Sequence, residues 1–306
     1  FNSKNLRTKR ILKVQLSGFF SFIPMRTLQE IYNDLLSAIS IQDTHEKKAI
    51  STVLIEHFLG ASKIDILGNK VWDDTHVDWN SIIERINQHE PIQYILGETR
   101  FHGLTFATLP GVLIPRPETE ELVDILIQKF TNSAPKLLDI GTGSGCIAIT
   151  LAKKLPHSSV TAWDISQDAL KIAQKNASKN KVSIEFQQID VLQLQETYHL
   201  KFDVIVSNPP YICESERIHM QENVLRYEPS LALFVPDDDP LLFYRKIANL
   251  GLQVLNPGGL LAFEINRAFG EETREMLLQM GYENCILQKD ISQNNRFVFG
   301  NCPCKM

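Results

Sequence analysis

A basic excess, paired cysteines and long apolar runs are all missing from this 306-residue chain. Lys and Arg total 31 against 36 Asp and Glu, a formal net charge of −5. That balance leaves no basic footprint for unaided duplex binding, which rests on cationic surface. The five cysteines, Cys146, Cys213, Cys285, Cys302 and Cys304, are odd in number and scattered. They do not read as a disulfide framework, and a reducing cytoplasm is the expected location. Cys302-Pro303-Cys304 is too short and isolated for a zinc site, and His45, His57, His76 and His89 show no ligand spacing. No metal is expected. No apolar stretch reaches the ~20 residues that span a bilayer. The Phe-rich segment Ile11–Ile23 follows Lys9-Arg10 as a signal peptide might, but Lys13, Gln15 and Ser17 interrupt it and no small-residue cleavage site follows. Residues 1–24 are expected to be a weakly structured extension, with Met25 the natural start. Hydrophobic residues make up 43% and charged residues 22%, which suits a globular chain long enough for two domains.

What is present begins with helical stripes. Leu28, Ile31, Leu35 and Ile39 recur at helical spacing, as do Ile50, Val53, Leu54 and Phe58. Shorter helices are expected over 62–67 and 78–88. Residues 25–90 therefore read as a small helical domain without a catalytic motif. Residues 91–112 alternate around Gly97 and Gly103 and read as a β-hairpin linker. A helix with acids in its first turn follows over 118–130. From Lys136 onward strands and helices alternate, the pattern of a parallel α/β sheet, so 113–306 forms the second domain.

Lys136–Gly145 carries the first chemistry. A short apolar strand ends at Asp139, and Gly141, Gly143 and Gly145 follow at spacing two, with Thr142 and Ser144 between them. Glycine lets the backbone turn tightly and approach a ligand. A dinucleotide loop would read G-x-G-x-x-G and hold a pyrophosphate. Asp139 would repel that group, but it suits a cofactor with a cationic amino-acid end, such as S-adenosylmethionine. The next strand, Ser159–Asp164, ends in an acid about 20 residues after the glycines, where a carboxylate accepts ribose hydroxyls. Ile165 follows it. A third strand, over 183–189, leads into Asp190 and Val191, candidates for an adenine contact.

The strand Phe202–Ser207 runs into Asn208-Pro209-Pro210-Tyr211. Asn offers an acceptor on a short arm. The two prolines stiffen the turn and remove two N–H groups, which leaves the Pro209 carbonyl as a second rigid acceptor. Two fixed acceptors and an aromatic ring suit a planar –NH2 on an sp2 carbon: an amide, an adenine or a cytosine. The polar stretch that follows, to Pro240, is long enough to be functional in its own right.

On these residues the segment 137–211 resembles the class I S-adenosylmethionine-dependent methyltransferases. Three further stretches narrow the resemblance: Pro91–Gly97 with Phe101-His102-Gly103-Leu104, then Leu113–Glu120, and Arg226-Tyr227-Glu228-Pro229. With them the chain, from about Met25 to its end, is similar to the release-factor glutamine N5-methyltransferases (the PrmC/HemK family). The resemblance implies a Rossmann-like α/β domain, with a mainly parallel seven-stranded sheet and a C-terminal antiparallel hairpin. It implies a helical substrate-recognition domain before it, S-adenosylmethionine as cofactor with S-adenosylhomocysteine as product, and a monomer. The implied substrate is the glutamine of the Gly-Gly-Gln motif in bacterial peptide chain release factors 1 and 2, with no direct nucleic-acid or membrane binding. Asn208, Pro209, Pro210 and Tyr211 would hold the acceptor amide, with Asn208 also bordering the cofactor. Arg116, Thr119 and Glu120 would order the lid of the cofactor pocket. Phe101 is open between an adenine contact and plain hairpin core. One departure lies over 290–296, where many relatives carry a glycine; Asn294 or Asn295 is expected to supply the turn. The rival readings are methylation of another protein glutamine, or a DNA adenine N6-methyltransferase, which would need a base-flipping apparatus.

Overall fold

The structure is a computed structural model that describes residues 11–16, 19–194 and 200–304. The chain divides into two compact units, one through Leu96 and one from Gly97.

In the first unit the strands Ile11–Leu16 and Phe19–Pro24 pair antiparallel. The N-terminal segment, expected to be weakly structured, thus carries a hairpin, while residues 1–10 and 17–18 lie outside the described residues. Helices follow at Leu28–Ala38, Thr44–Leu59, Lys63–Leu67, Trp79–Asn87 and Ile92–Leu96. Local chemistry sets their ends. Thr27 and Glu30 form a reciprocal capping box, Asp43 accepts from the N–H groups of His45 and Glu46, and Gly60 closes the second helix at φ +67°. The apolar stripes meet in one core that contains Leu28, Ile31, Leu35, Leu54, Ile55 and Ile82. The helix Ile92–Leu96 stands where strand alternation was expected. Ile92, Ile95 and Leu96 lie at helical spacing and pack on this core, so burial overrode the two-residue alternation and the unit ends at Leu96.

The second unit opens with the hairpin Glu98–Phe101 and Leu104–Ala107. Its two-residue turn, His102-Gly103, has both φ values positive, at +50° and +75°. A seven-stranded sheet forms the rest of the frame: β1 (Lys136–Ile140), β2 (Ser159–Asp164), β3 (Glu185–Gln188), β4 (Phe202–Ser207), β5 (Leu255–Glu264), β6 (Glu283–Lys289) and β7 (Asn295–Asn301). Their order across the sheet is β6-β7-β5-β4-β1-β2-β3. All neighbours are parallel except β5–β7 and β6–β7. Alternation along the central strands feeds two cores. Leu137, Val204 and Val206 enter one, and Leu138, Ile140 and Ile205 enter the other. The C-terminal hairpin turns at Gln293 (φ +65°), not at Asn294 or Asn295. Asp290, buried at the start of the turn, accepts from Asn294 N–H and Arg296 Nε and so dictates which residue takes the left-handed position.

This strand order places the site. The chain runs outward through β1, β2 and β3, then returns to β4 on the other side of β1. Open α/β sheets bind ligands at that reversal, beyond the carboxyl ends of the strands. Ser207 is in register with Ile140, so Asn208 and Gly141 leave the sheet side by side.

Candidate active site

The glycine loop leaves β1 at Ile140. Gly141, Gly143 and Gly145 have φ of +74°, +54° and +82°, which an L side chain rarely adopts. The three are not equivalent. A Cβ on Gly141 or Gly143 would meet nothing within 4 Å, which leaves a ligand room against the loop. A Cβ on Gly145 would lie 2.8 Å from Ile149 Cδ1 and 3.2 Å from Ala173 Cβ, so Gly145 is a packing requirement. Gly145→Ala is expected to cost about 2–4 kcal/mol, the sum of left-handed strain and overpacking. Gly141→Ala should cost only the strain, about 1–2 kcal/mol. Urea unfolding of both variants checks this, and equal losses would refute the distinction.

Two carboxylates bracket the loop. Asp164, at the end of β2, accepts from Gly143 N–H and Ser166 N–H, each at 2.8 Å. Burial pushes its carboxyl up. Asp139 Oδ2 accepts from the Thr142 hydroxyl at 2.6 Å and Ala148 N–H at 3.2 Å. Its Oδ1 is buried with no hydrogen-bond partner among the described residues. Burial pushes the Asp139 carboxyl up to about 7. The unfolded chain keeps the ordinary value, so the stability this group contributes at low pH is lost as pH rises towards 7. A cation beside Oδ1 would offset that loss. The orphaned oxygen and the open space over Gly141 and Gly143 fit a cofactor with a cationic end.

Thr142 and Ser144 are buried within the loop. Asn176 anchors it from below, a residue for which the sequence offered no signal beyond a polar side chain on an apolar helix face. Its Nδ2 donates to Ser144 O at 2.9 Å and to Ala107 O, and its Oδ1 accepts Ala107 N–H at 2.7 Å. Ile165 is exposed beside Asp164. Asp190 caps its own turn by accepting Leu192 N–H, and Val191 packs on the second core.

Of the two readings of Phe101, adenine contact and hairpin core, the structure favours the core. Phe101 is fully buried, edge-to-face with Phe106 at 6.0 Å, because the tight hairpin turns both rings into the core. Arg116 and Thr119, expected at the cofactor lid, lie beside Glu228 and Asn208. Arg116 Nη2 donates to Glu228 Oε1 at 2.6 Å, and Glu228 Oε2 accepts Ile114 N–H at 3.1 Å. Glu228, buried, thus ties the 113–116 segment to the stretch after β4. Thr119 is buried beneath Asn208, in the first turn of the helix Pro117–Phe130 where Glu120 also lies.

Asn208, Pro209 and Tyr211 line a cleft of about 250 Å³, together with Leu113, Arg116 and residues from the 212–233 stretch. That stretch is not a bare loop. It carries short helical turns at Glu214–His219 and Ser230–Ala232 and a helix at Glu222–Tyr227. Asn208 Nδ2 donates to Thr119 Oγ1 at 3.2 Å, and its Oδ1 has no hydrogen-bond partner among the described residues. Tyr211 is anchored by its backbone, with N–H donated to Leu233 O at 3.2 Å and O accepting from Asn266 Nδ2 at 3.0 Å. Its hydroxyl donates to Glu264 Oε1 at 3.3 Å. The arrangement presents an acceptor and a ring, and the described residues include no His, Cys, Asp and Glu group that could hold a metal ion.

Two family models match the chain: the PrmC N-terminal domain over residues 33–97 and the methyltransferase small domain over 103–227. The release factor glutamine methyltransferase of Bacteroides thetaiotaomicron is 46% identical over 268 residues, which cover 86% of this chain and 96% of that one. The chain belongs to the release factor glutamine methyltransferase family. The namesake protein of Flavobacterium psychrophilum is 45% identical over 266 residues, covering 85% of this chain and 93% of its own. That of Lactococcus lactis is 38% identical over 238 residues, covering 78% and 87%. Membership makes this chain a methyltransferase, and the boundary between its two family models falls where the two compact units part.

Proposed function

We propose that this methyltransferase moves a methyl group from S-adenosylmethionine to the side-chain amide nitrogen of the glutamine in the Gly-Gly-Gln motif of release factors 1 and 2. The observation that carries the reading is the state of Asn208. One of its two amide N–H donors is held by Thr119, which fixes the side chain and leaves Oδ1 without a hydrogen-bond partner among the described residues. An unengaged carbonyl oxygen accepts one N–H of a substrate –NH2, and the Pro209 carbonyl offers the second acceptor that a two-donor group needs.

Asp139 and Asp164, with the Gly141–Gly145 loop, would hold the cofactor, and Asp190 and Val191 would border its base. When bound, it supplies an electrophilic methyl on a sulfonium. The chain's own residues do the rest. An amide nitrogen is a poor nucleophile because its lone pair is delocalised into the carbonyl. Asn208 Oδ1 and the Pro209 carbonyl accept its two N–H bonds, favour positive charge on nitrogen and aim the lone pair. Tyr211 covers the amide plane and excludes water. This is positioning with preorganised electrostatics. The N-methylated amide cation is a strong acid that loses its extra proton to solvent as the product leaves the slot, so no strong base is needed. The helical unit and the 212–233 wall supply binding energy remote from the reacting atoms.

Mass spectrometry of an intact release factor incubated with the protein and labelled cofactor tests the reading. One methyl on the Gly-Gly-Gln glutamine is expected, with single-turnover rates orders of magnitude above those for free glutamine, which reaches only the slot. Equal rates for free glutamine, or equal transfer to an adenine oligonucleotide, would overturn it.

A further inference from the structure

The carboxylate of Glu264 lies behind two residues of the acceptor site, Thr119 and Tyr211. It lies at the carboxyl end of β5, is 1% exposed, and receives two hydroxyl donors from opposite sides. Thr119 Oγ1 donates to Oε2 at 2.7 Å, and the Tyr211 hydroxyl donates to Oε1 at 3.3 Å. An ionised carboxylate only accepts, so both hydroxyl protons must point at it. The Thr119 oxygen then has lone pairs, and no proton, to offer Asn208. Asn208 can answer only with Nδ2, as it does at 3.2 Å. A flipped amide would set Oδ1 against Oγ1 with no hydrogen between them.

We infer that Glu264 is a positioning residue for methyl transfer: acting through Thr119, it fixes which end of the Asn208 amide faces the substrate, and through the Tyr211 hydroxyl it holds the ring that covers it. The inference rests on the acceptor reading of Asn208 given above. Its consequence is chemical. With the amide reversed, Asn208 would present –NH2 to the substrate's –NH2, two donors and no acceptor, and methyl transfer would lose one of its two guiding hydrogen bonds. Burial pushes the Glu264 carboxyl up, and the Thr119 hydroxyl, the Arg296 cation and the Tyr211 hydroxyl act against that shift.

The sequence holds a trace of this arrangement. β1 and β2 end in or next to aspartates, and β5 ends in Phe263-Glu264, an acid closing an apolar run in the same way. What no sequence pattern gives is that Thr119, 145 positions earlier, meets it.

The test uses the full-length protein and an intact release factor, with single-turnover methyl transfer and calorimetric titration of S-adenosylhomocysteine. Thr119→Val keeps the shape and removes the hydroxyl; it is expected to lower the transfer rate at least tenfold while cofactor affinity changes less than twofold. Thr119→Ser should recover the rate to within threefold of wild type. Glu264→Gln, which replaces one of the two acceptors by a donor, should match the valine variant. In an Asn208→Ala background, Thr119→Val should add less than twofold, because there is no amide left to orient; a merely structural role would add its full loss again. Should Glu264→Gln not fold, the Thr119 series decides alone. Wild-type transfer to the release factor with Thr119→Val at the wild-type rate would overturn the role of Glu264 and leave the acceptor reading standing. Absence of wild-type transfer would overturn both.

Discussion

Asn208→Ala should lower the methyl-transfer rate by about 100- to 1,000-fold, the loss typical of one preorganised hydrogen-bond partner at developing charge. The side chain lines the cleft and its Nδ2 is already held by Thr119, so its removal takes away the acceptor without disturbing β4. Affinity for the cofactor product should stay within about threefold, since no hydrogen bond joins Asn208 to the glycine loop among the described residues. Asn208→Asp is nearly as damaging. It keeps two acceptor oxygens but cannot donate to Thr119, whose own proton is committed to Glu264. Single-turnover assays with calorimetry separate the two effects. A variant that kept more than a tenth of the wild-type rate, a loss under ~1.4 kcal/mol, would remove Asn208 from the proposed mechanism.

Asp164→Ala should act on the other half of the site. Cofactor affinity is expected to weaken by roughly 10- to 100-fold, about 1.5–3 kcal/mol for a charge-assisted hydrogen bond. Two causes add here. The carboxylate is the proposed ribose acceptor, and it also holds Gly143 N–H at 2.8 Å, which keeps the loop in its left-handed path. The rate at saturating cofactor should change less than threefold, because Asp164 does not touch the acceptor slot. Titration of S-adenosylhomocysteine reads the affinity directly; an unchanged dissociation constant would move the ribose contact to another residue.

Strand-end residues were the legible part of the site, because a parallel sheet delivers the residue after each strand to one edge. Asp139, Asp164 and Asn208 could be named from their places in β1, β2 and β4 without coordinates. Glu228 was quoted only as part of a motif, and its bonds to Ile114 and Arg116 cross more than 100 positions of sequence. The contacts of Thr119 were hidden for the same reason. A threonine in the first turn of a helix says nothing about which carboxylate lies opposite its hydroxyl. Phe101 stayed open for a different reason: an aromatic residue beside a hairpin turn reads the same whether its ring faces a ligand or the core, and only its packing on Phe106 decided for the core.

The helix Ile92–Leu96 and the turn at Gln293 show the limit for local structure. Five residues satisfy strand alternation and helical spacing at once, so the core they pack on arbitrates. By itself the sequence determined the α/β alternation, the glycine loop with its acid, and the Asn-Pro-Pro-Tyr acceptor, since each follows from periodicity or from the conformational rules of Gly and Pro. Tertiary structure alone decided which way the Asn208 amide points. That depends on one carboxylate at the end of β5, one hydroxyl on a helix far upstream, and the rule that a buried donor and acceptor must meet.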